Sequence, residues 1–371
     1  MDPIAQLAEH GQSVWYDNVS RAVLRSGEMQ ALIDVGITGV TSNPTIFEKA
    51  IAGSNAYDDA LAALIARNYD ADRILDTLVS DDIREVADLL RPVHERTNGG
   101  DGYVSIEEAP ELSYDTARSV IEASRLRALV DRKNVMIKIP STPEGIAAAE
   151  EVIAAGINVN ITLMFSLEAY ENTALAYVRG LERRLDAGLP VDSVASVASF
   201  FVSRVDAMVD KRLEAKIAES PGARERLSGL LGKAAIANAK LAYQKFEAIF
   251  HGERFARLRA AGARPQRVLW ASTSTKNPAY RDVVYVEELI GPETINTLPP
   301  ATIAAVREHG VIRETLTAGI DEARAVFQGL AAAGIDMDDV TLQLQRDGVE
   351  SFAASWRALQ ESVRNKRAVM V

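Results

Sequence analysis

The chain has 371 residues, with 41 basic and 52 acidic side chains, which gives a formal net charge of −11. Zero cysteine excludes disulfides, thiolate metal sites, iron–sulfur clusters and a cysteine nucleophile, and the acidic balance argues against a nucleic-acid partner. Apolar residues at 47% and charged residues at 25% are typical of a globular protein that can bury a large core.

The amino-terminal residues have no basic region followed by an apolar core, and no run of about eighteen uncharged apolar residues occurs. We therefore expect no signal peptide, no membrane partner and a cytoplasmic location. The sequence leaves the oligomeric state open, with a homodimer as one option.

Eight short β-branched apolar runs predict strands, with long helical segments between most of them. The runs are 13–18, 39–42, 103–107, 134–140, 158–165, 197–202, 267–272 and 294–298. Runs that do not alternate are typical of parallel strands buried on both faces. The pattern predicts an α/β fold, a (β/α)₈ TIM barrel forming one domain over residues 1–371. A doubly wound open sheet is the alternative, but no G-x-G-x-x-G follows the first run.

Two segments exceed a minimal barrel and are predicted to be helical insertions, near 47–100 and 205–264. The chain after Pro300 is also helical in pattern, which predicts extra C-terminal helices. At the end of the first insertion, just before the third run, the glycine-rich residues 98–102 predict the most flexible loop.

Lys138 is the most informative residue, because it is a lone ammonium inside the apolar run 134–140. Desolvation favours the neutral amine, which can attack a carbonyl to form a Schiff base. In a barrel the carboxyl ends of the strands carry the active site. The alternative is a strand-end lysine that reaches solvent or pairs with a carboxylate.

Two acids, Asp17 and Glu107, end other predicted strands and should meet Lys138 at the mouth of a barrel. A lysine with two carboxylates supplies a nucleophile and two proton-transfer groups, as carbon–carbon chemistry at a carbonyl requires. The alternative is that each acid caps a helix or pairs with a neighbour.

Polar side chains extend this candidate site. Asn158, Asn160 and Thr162 alternate with apolar residues, so we expect them to share one face. A polar stripe in a buried strand favours a hydroxylated ligand or a water, and a structural hydrogen-bond network is the alternative. Hydroxyl and cationic groups at the ends of the sixth and seventh runs predict a phosphate clamp: Ser199, Arg204, Ser272, Ser274 and Lys276.

Standard nucleotide, metalloprotease and nucleophile-elbow motifs are absent, and four scattered histidines without cysteine argue against a metal site. Four motifs instead resemble transaldolase, in that family's order. They are TSNP at 41–44, SIE at 105–107 with LSYDT at 112–116, IKIP at 137–140, and GINVNITL at 156–163. The resemblance covers nearly the whole chain. Residues 270–278 and the length are similar to the longer bacterial branch, although many members have Arg where Lys276 stands.

The resemblance implies transfer of a dihydroxyacetone unit from sedoheptulose 7-phosphate or fructose 6-phosphate to an aldose phosphate, in the non-oxidative pentose phosphate pathway, without metal or cofactor. It implies that Lys138 forms the Schiff base, that Asp17 takes the hydroxyl proton, and that Glu107 shuttles protons through a water held by Thr162. The implied substrate-binding residues are Thr41, Asn43, Asn160, Ser199, Arg204, Ser274 and Lys276.

Two other functions stay open. One is a fructose-6-phosphate aldolase that releases dihydroxyacetone to water; smaller aldolase relatives have Gln where Glu107 stands, which favours transfer. The other is a non-catalytic barrel that binds sugar phosphates, and the set of Lys138, Asp17 and Glu107 argues against it.

Overall fold

A computed structural model describes residues 2–370, apart from the side chains of Pro221 and Met370. Within these residues eight parallel strands form one closed barrel, each paired with its neighbours in chain order. The strands are β1 (Gln12–Tyr16), β2 (Ile37–Val40), β3 (Tyr103–Glu107), β4 (Val135–Pro140), β5 (Val159–Met164), β6 (Ser196–Phe201), β7 (Arg267–Ala271) and β8 (Thr294–Leu298). The barrel prediction is confirmed, and the open sheet is excluded.

The strands form where the sequence concentrates apolar and β-branched residues. Every position of β3, β4, β5, β6 and β8 is buried, because one face points into the barrel and the other packs under helices. Polar residues that the sequence places within these strands are therefore buried as well, and they require partners or a ligand.

Helices surround the barrel. In the described chain they are α1 (Pro3–Glu9), α2 (Arg21–Arg25), α3 (Glu28–Asp34), α4 (Pro44–Ala52), α5 (Asp58–Ala66), α6 (Ala71–Arg96), α7 (Thr116–Val130), α8 (Pro143–Ala154), α9 (Leu167–Asp186), α10 (Ser203–Glu219), α11 (Arg224–Ser228), α12 (Ala234–Phe250), α13 (Glu253–Ala260), α14 (Val284–Glu287), α15 (Pro300–His309), α16 (Ile320–Ala332) and α17 (Met337–Met370). Among residues 2–370, no helix combines the length and the apolar composition that crossing a membrane requires.

The two predicted insertions are helical. The first, 47–100, holds most of α4 together with α5 and α6, and the second, 205–264, holds nearly all of α10 with α11, α12 and α13. The start of α4 follows from its sequence, because the Asn43 side chain accepts a hydrogen bond from the Ile46 amide and Pro44 opens the helix.

The last helix, α17, crosses the mouth of the barrel. The Gln345 amide donates to the Ser141 carbonyl oxygen, just after β4, at 2.8 Å. Two turns further along, Phe352 is buried above Lys138. Beyond it α17 packs along α4. This crossing covers the end of the barrel at which the predicted site lies.

Residues 98–102 differ from the sequence prediction of a flexible loop. Asp101 is buried and accepts a hydrogen bond from the Trp15 indole at 2.8 Å. Gly102 has a φ of +83°, and a Cβ there would lie 2.3 Å from the His94 backbone nitrogen. The glycines thus allow a close packing of chain against helix α6, and Asp101 anchors the loop beneath the barrel.

Candidate active site

Strand β4 carries Lys138 into the mouth of the barrel, where the residue is only 4% exposed. In the parallel register it pairs with Glu107 of β3 and Asn160 of β5. Paired residues of neighbouring strands project in the same direction, so these three side chains lie on the inner face together. The barrel therefore brings the predicted nucleophile and one predicted acid side by side.

Three groups hold the Lys138 ammonium. Nζ donates a hydrogen bond to the Ser42 carbonyl oxygen at 3.1 Å, and it lies 3.1 Å from Glu107 Oε2 in an ion pair. The centroid of the Phe352 ring lies 5.6 Å from Nζ, within cation–π range. The Ser42 hydroxyl in turn donates to the Ser105 carbonyl oxygen at 2.7 Å, which ties the end of β2 to β3.

Glu107 is a buried carboxyl poised to exchange protons. Burial raises its pKa to about 7, and the neighbouring Lys138 opposes the rise. Apart from the ion pair, neither carboxylate oxygen accepts a well-aligned hydrogen bond from residues 2–370. The hydroxyl of Thr162 on β5 is likewise buried without a partner in that range. Unsatisfied polar groups of this kind mark a place for a substrate or a water.

Asp17, directly after β1, is the second acid of the site. Thr41 Oγ1 donates a hydrogen bond to Asp17 Oδ1 at 2.7 Å. Burial raises the pKa of this carboxyl, and three nearby cations, Lys138, Lys276 and Arg204, oppose the rise. Asp17 therefore interacts electrostatically with both the predicted nucleophile and the cations of the predicted phosphate clamp.

Asn160 is fully buried and oriented by two hydroxyls. Its Nδ2 donates to Ser105 Oγ at 2.9 Å, and its Oδ1 accepts from Ser199 Oγ at 2.7 Å. This pairing fixes the direction of the amide, since donor and acceptor are each engaged. Ser199, a predicted phosphate-binding residue, thus lies on β6 and donates its hydroxyl proton to Asn160.

Arg204 and Lys276 form the cationic side of the site. Arg204 lies at the start of α10 over the Phe201 ring, 5.4 Å from its centroid, and Lys276 Nζ donates to Ser274 Oγ at 2.7 Å. Among the described residues neither cation has an acidic partner within 4.0 Å. Desolvation lowers the pKa of both, and each is further affected by the charge of Asp17.

The structure separates Asn158 from the rest of the predicted polar stripe. Its side chain lies just before β5, donates to the Lys133 and Val135 carbonyl oxygens, and accepts from the Ala195 amide. All these partners are backbone groups at the amino-terminal end of the barrel. Asn158 is therefore structural, and only Asn160 and Thr162 of the stripe face the site.

The structure adds four site groups to which the sequence reasoning gives no role: the Ser42 carbonyl, Ser105, Phe352 and Thr297, whose Oγ1 lies 2.6 Å from Thr41 Oγ1. The first is a backbone atom, which any residue could supply. Phe352 reaches Lys138 only because α17 crosses the barrel, and no local pattern indicates that crossing. Ser105 and Thr297 do lie at inward-facing positions of predicted strands, so strand alternation could have identified them.

A metal centre has no support in the side-chain arrangement of residues 2–370, where no three His, Cys, Asp or Glu residues cluster suitably to hold an ion. The partners of Glu107 and Asp17 are instead an ammonium and a hydroxyl. The arrangement can bind a phosphorylated carbonyl compound, attack its carbonyl with an amine, and move protons on two sides of the adduct.

Comparison with known proteins agrees with this geometry. The family described as transaldolase/fructose-6-phosphate aldolase matches residues 14–363. The chain is 45% identical to "Transaldolase 2" of Nostoc sp. over 369 residues, covering 98% of this chain and 97% of the relative. It is 49% identical to "Transaldolase" of Acidothermus cellulolyticus, with 98% and 96% covered, and 50% identical to "Transaldolase" of Thiobacillus denitrificans, with 94% and 96% covered. With its barrel, its buried lysine and these matches over nearly its whole length, the chain belongs to the transaldolase/fructose-6-phosphate aldolase family.

Proposed function

We propose that this protein is a transaldolase, which transfers a dihydroxyacetone unit from a ketose phosphate to an aldose phosphate in the non-oxidative pentose phosphate pathway. The observation that carries the proposal is Lys138, buried at the carboxyl end of β4 with Glu107 Oε2 at 3.1 Å from its amine. A protein that only bound sugar phosphates would gain nothing from a desolvated lysine paired with a proton-accepting carboxyl.

The first step is Schiff-base formation. Glu107, whose pKa is about 7, accepts a proton from the Lys138 ammonium, and the neutral amine adds to the ketone carbonyl of the donor. The resulting carbinolamine hydroxyl takes this proton back from Glu107 and leaves as water, which gives the Schiff base. Thr162 lies on β5 with a free buried hydroxyl, which suits it to hold the water through which Glu107 acts.

The second step breaks a carbon–carbon bond. Asp17 removes the proton from the hydroxyl on the far carbon of the scissile bond, and that oxygen becomes the carbonyl of the departing aldose phosphate. The bonding electron pair moves toward the iminium nitrogen on Lys138, which leaves an enamine. The reverse steps on a second aldose phosphate complete the transfer.

Substrate binding follows from the unused hydrogen-bonding capacity of the site. The side-chain oxygen of Asn43 caps α4, so the NH₂ group of the same side chain is left to donate to a hydroxyl of the dihydroxyacetone unit. Asn160 has a further amide proton beyond the one given to Ser105. Arg204 and Lys276 attract the phosphate, with the Ser274 hydroxyl beside them.

Transfer, rather than release of dihydroxyacetone, requires the enamine to survive until an acceptor arrives. Phe352 of α17 lies over Lys138 and is 5% exposed, so the covering helix limits the access of water to the adduct. Glu107 is the second supporting feature, because its carboxyl rather than an amide faces the lysine.

The experiment measures dihydroxyacetone release and transfer in parallel. With fructose 6-phosphate alone we expect little free dihydroxyacetone. Adding erythrose 4-phosphate should release glyceraldehyde 3-phosphate and produce sedoheptulose 7-phosphate. Steady release of dihydroxyacetone without acceptor, at the rate of transfer, would identify an aldolase, and binding without either reaction would identify a non-catalytic barrel.

A further inference from the structure

A chain of three oxygen atoms links strand β8 to the acid of the cleavage step. Thr297 Oγ1 lies 2.6 Å from Thr41 Oγ1, which lies 2.7 Å from Asp17 Oδ1. Thr297 is 3% exposed and Thr41 is 2% exposed, so both hydroxyls are shielded from solvent. Both separations are those of short O–H···O hydrogen bonds, and each therefore requires one proton between its oxygens.

The number of protons sets the direction of this chain. A threonine hydroxyl has one proton to give, and an ionised carboxylate can only accept. When Asp17 is ionised, the Thr41 proton must point at Asp17, because otherwise two oxygens would meet at 2.7 Å with no proton between them. The proton in the second contact must then come from Thr297.

We propose that Thr297 is a positioning residue for the cleavage step, because its hydroxyl donates to Thr41 and thereby commits the Thr41 proton to Asp17. This inference rests on the proposed function, in which Asp17 acts as the base. Without the Thr297 hydroxyl, the lone pair of Thr41 that faces β8 has no donor, and Thr41 loses the contact that fixes its rotation. Hydrogen bonds in a chain also strengthen one another, so the bond to Asp17 weakens as well.

The chain can serve both protonation states of the acid. After Asp17 has taken the substrate proton on the oxygen that faces Thr41, the direction reverses: Asp17 donates to Thr41, and Thr41 donates to Thr297. Both contacts keep one proton, and no proton leaves the carboxyl along the chain. A hydroxyl is the group that allows this, since it donates in one state and accepts in the other.

The charged surroundings of Asp17 define what a pH measurement would report. Lys138 on β4, Arg204 on α10 and Lys276 after β7 favour its ionised form. Glu107 on β3 is the neighbouring acid that interacts electrostatically with Asp17. Removing the Thr297 hydroxyl leaves all four of these groups in place. A change in the pH profile of the variant therefore reports the hydroxyl chain.

The test compares Thr297→Val, Thr297→Ser and a matched control, Thr294→Val. Thr294 is buried at the opposite end of the same strand, where its hydroxyl donates to the Gly291 carbonyl oxygen and accepts from Gln12 Nε2. For Thr297→Val we expect kcat about tenfold lower, part of what a lost bond to a charged group costs, with KM nearly unchanged. The acid limb of the kcat/KM profile should move up by roughly half a pH unit or more, because the charge-assisted bond to ionised Asp17 loses more than the neutral bond made by the protonated acid. Thr297→Ser should restore both, and Thr294→Val should change neither.

The outcomes separate this inference from the proposed function. If the wild-type enzyme transfers dihydroxyacetone while Thr297→Val keeps the native kcat and pH profile, the positioning role is wrong and the function stands. If kcat falls without a shift of the acid limb and Thr297→Ser does not rescue it, Thr297 acts by packing alone. Absence of transfer in the wild-type enzyme would refute the function itself. Should Thr297→Val fail to fold, Thr297→Ala removes the hydroxyl without added bulk and must give the same shift.

Discussion

Replacing Glu107 by Gln removes the proton carrier beside Lys138 while keeping the shape of the side chain. The structure sets the size of the effect. With a pKa of about 7, roughly half of this carboxyl is protonated at pH 7, whereas at the ordinary value of 4.5 about 0.3% would be. Burial thus raises the fraction of Glu107 that can donate a proton to the carbinolamine more than a hundredfold at pH 7. The other half of the molecules still carry the ionised carboxylate, which can act as a base.

We expect Glu107→Gln to slow transfer by roughly 10²–10⁴-fold, the usual span for loss of a general acid–base group. The assay follows glyceraldehyde 3-phosphate formation from fructose 6-phosphate and erythrose 4-phosphate at several pH values. Borohydride should still trap the donor on the variant after long incubation, because the lysine remains. Glu111→Gln is the matched control, since Glu111 is exposed on the loop that follows β3.

A Glu107→Gln variant that transfers at more than a tenth of the native rate would refute this account of the proton path. So would a variant whose trapping and transfer are both native below pH 6, since that would show that the carboxyl acts only through its charge on Lys138.

Arg204→Ala should weaken the binding of phosphorylated substrates by about 1.5–3 kcal/mol, measured as KM or dissociation constant, and should affect the binding of unphosphorylated fructose far less. An equal loss of affinity for both would show that Arg204 is structural. Glu108 is buried with Ser119 donating to it, and burial raises its pKa to about 8. Because the folded state holds a proton that the unfolded chain loses above about pH 4.5, folding becomes less favourable as the pH rises from there to 8. Glu108→Gln should therefore gain stability relative to wild type across that range, by about 3–5 kcal/mol in chemical denaturation, and a constant difference would contradict this. Dialysis against EDTA should leave activity unchanged; loss that one divalent ion restores would indicate a metal-dependent reaction.

The barrel could be predicted because its strands are the most distinctive signal in the sequence. Eight short apolar runs separated by helices are compatible with few other folds, and the carboxyl ends of parallel strands must share one end of the barrel. The meeting of Lys138 with Glu107 follows from that alone, since their strands are neighbours in chain order. The ends of individual strands differ by one or two residues from the predicted runs, as Ile37 does at the start of β2.

What the sequence did not reveal depends on contacts between distant segments. Phe352 reaches the site through α17, and the Ser42 carbonyl is held by a hydrogen bond from its own hydroxyl to β3. Asn158 was grouped with Asn160 on strand alternation, yet it lies outside β5, where backbone groups satisfy it. Glycines at 98–102 suggested flexibility, but they permit a tight contact with α6 instead.

The identity of the lysine that forms the Schiff base is the central claim. Incubation with fructose 6-phosphate and borohydride should attach one three-carbon unit to the protein, and peptide mapping should place it on Lys138. The Lys138→Arg variant should fold normally, take up no label and show no turnover. Label on the exposed Lys133 or on Lys276 in the wild-type enzyme, or label that persists in Lys138→Arg, would contradict the account.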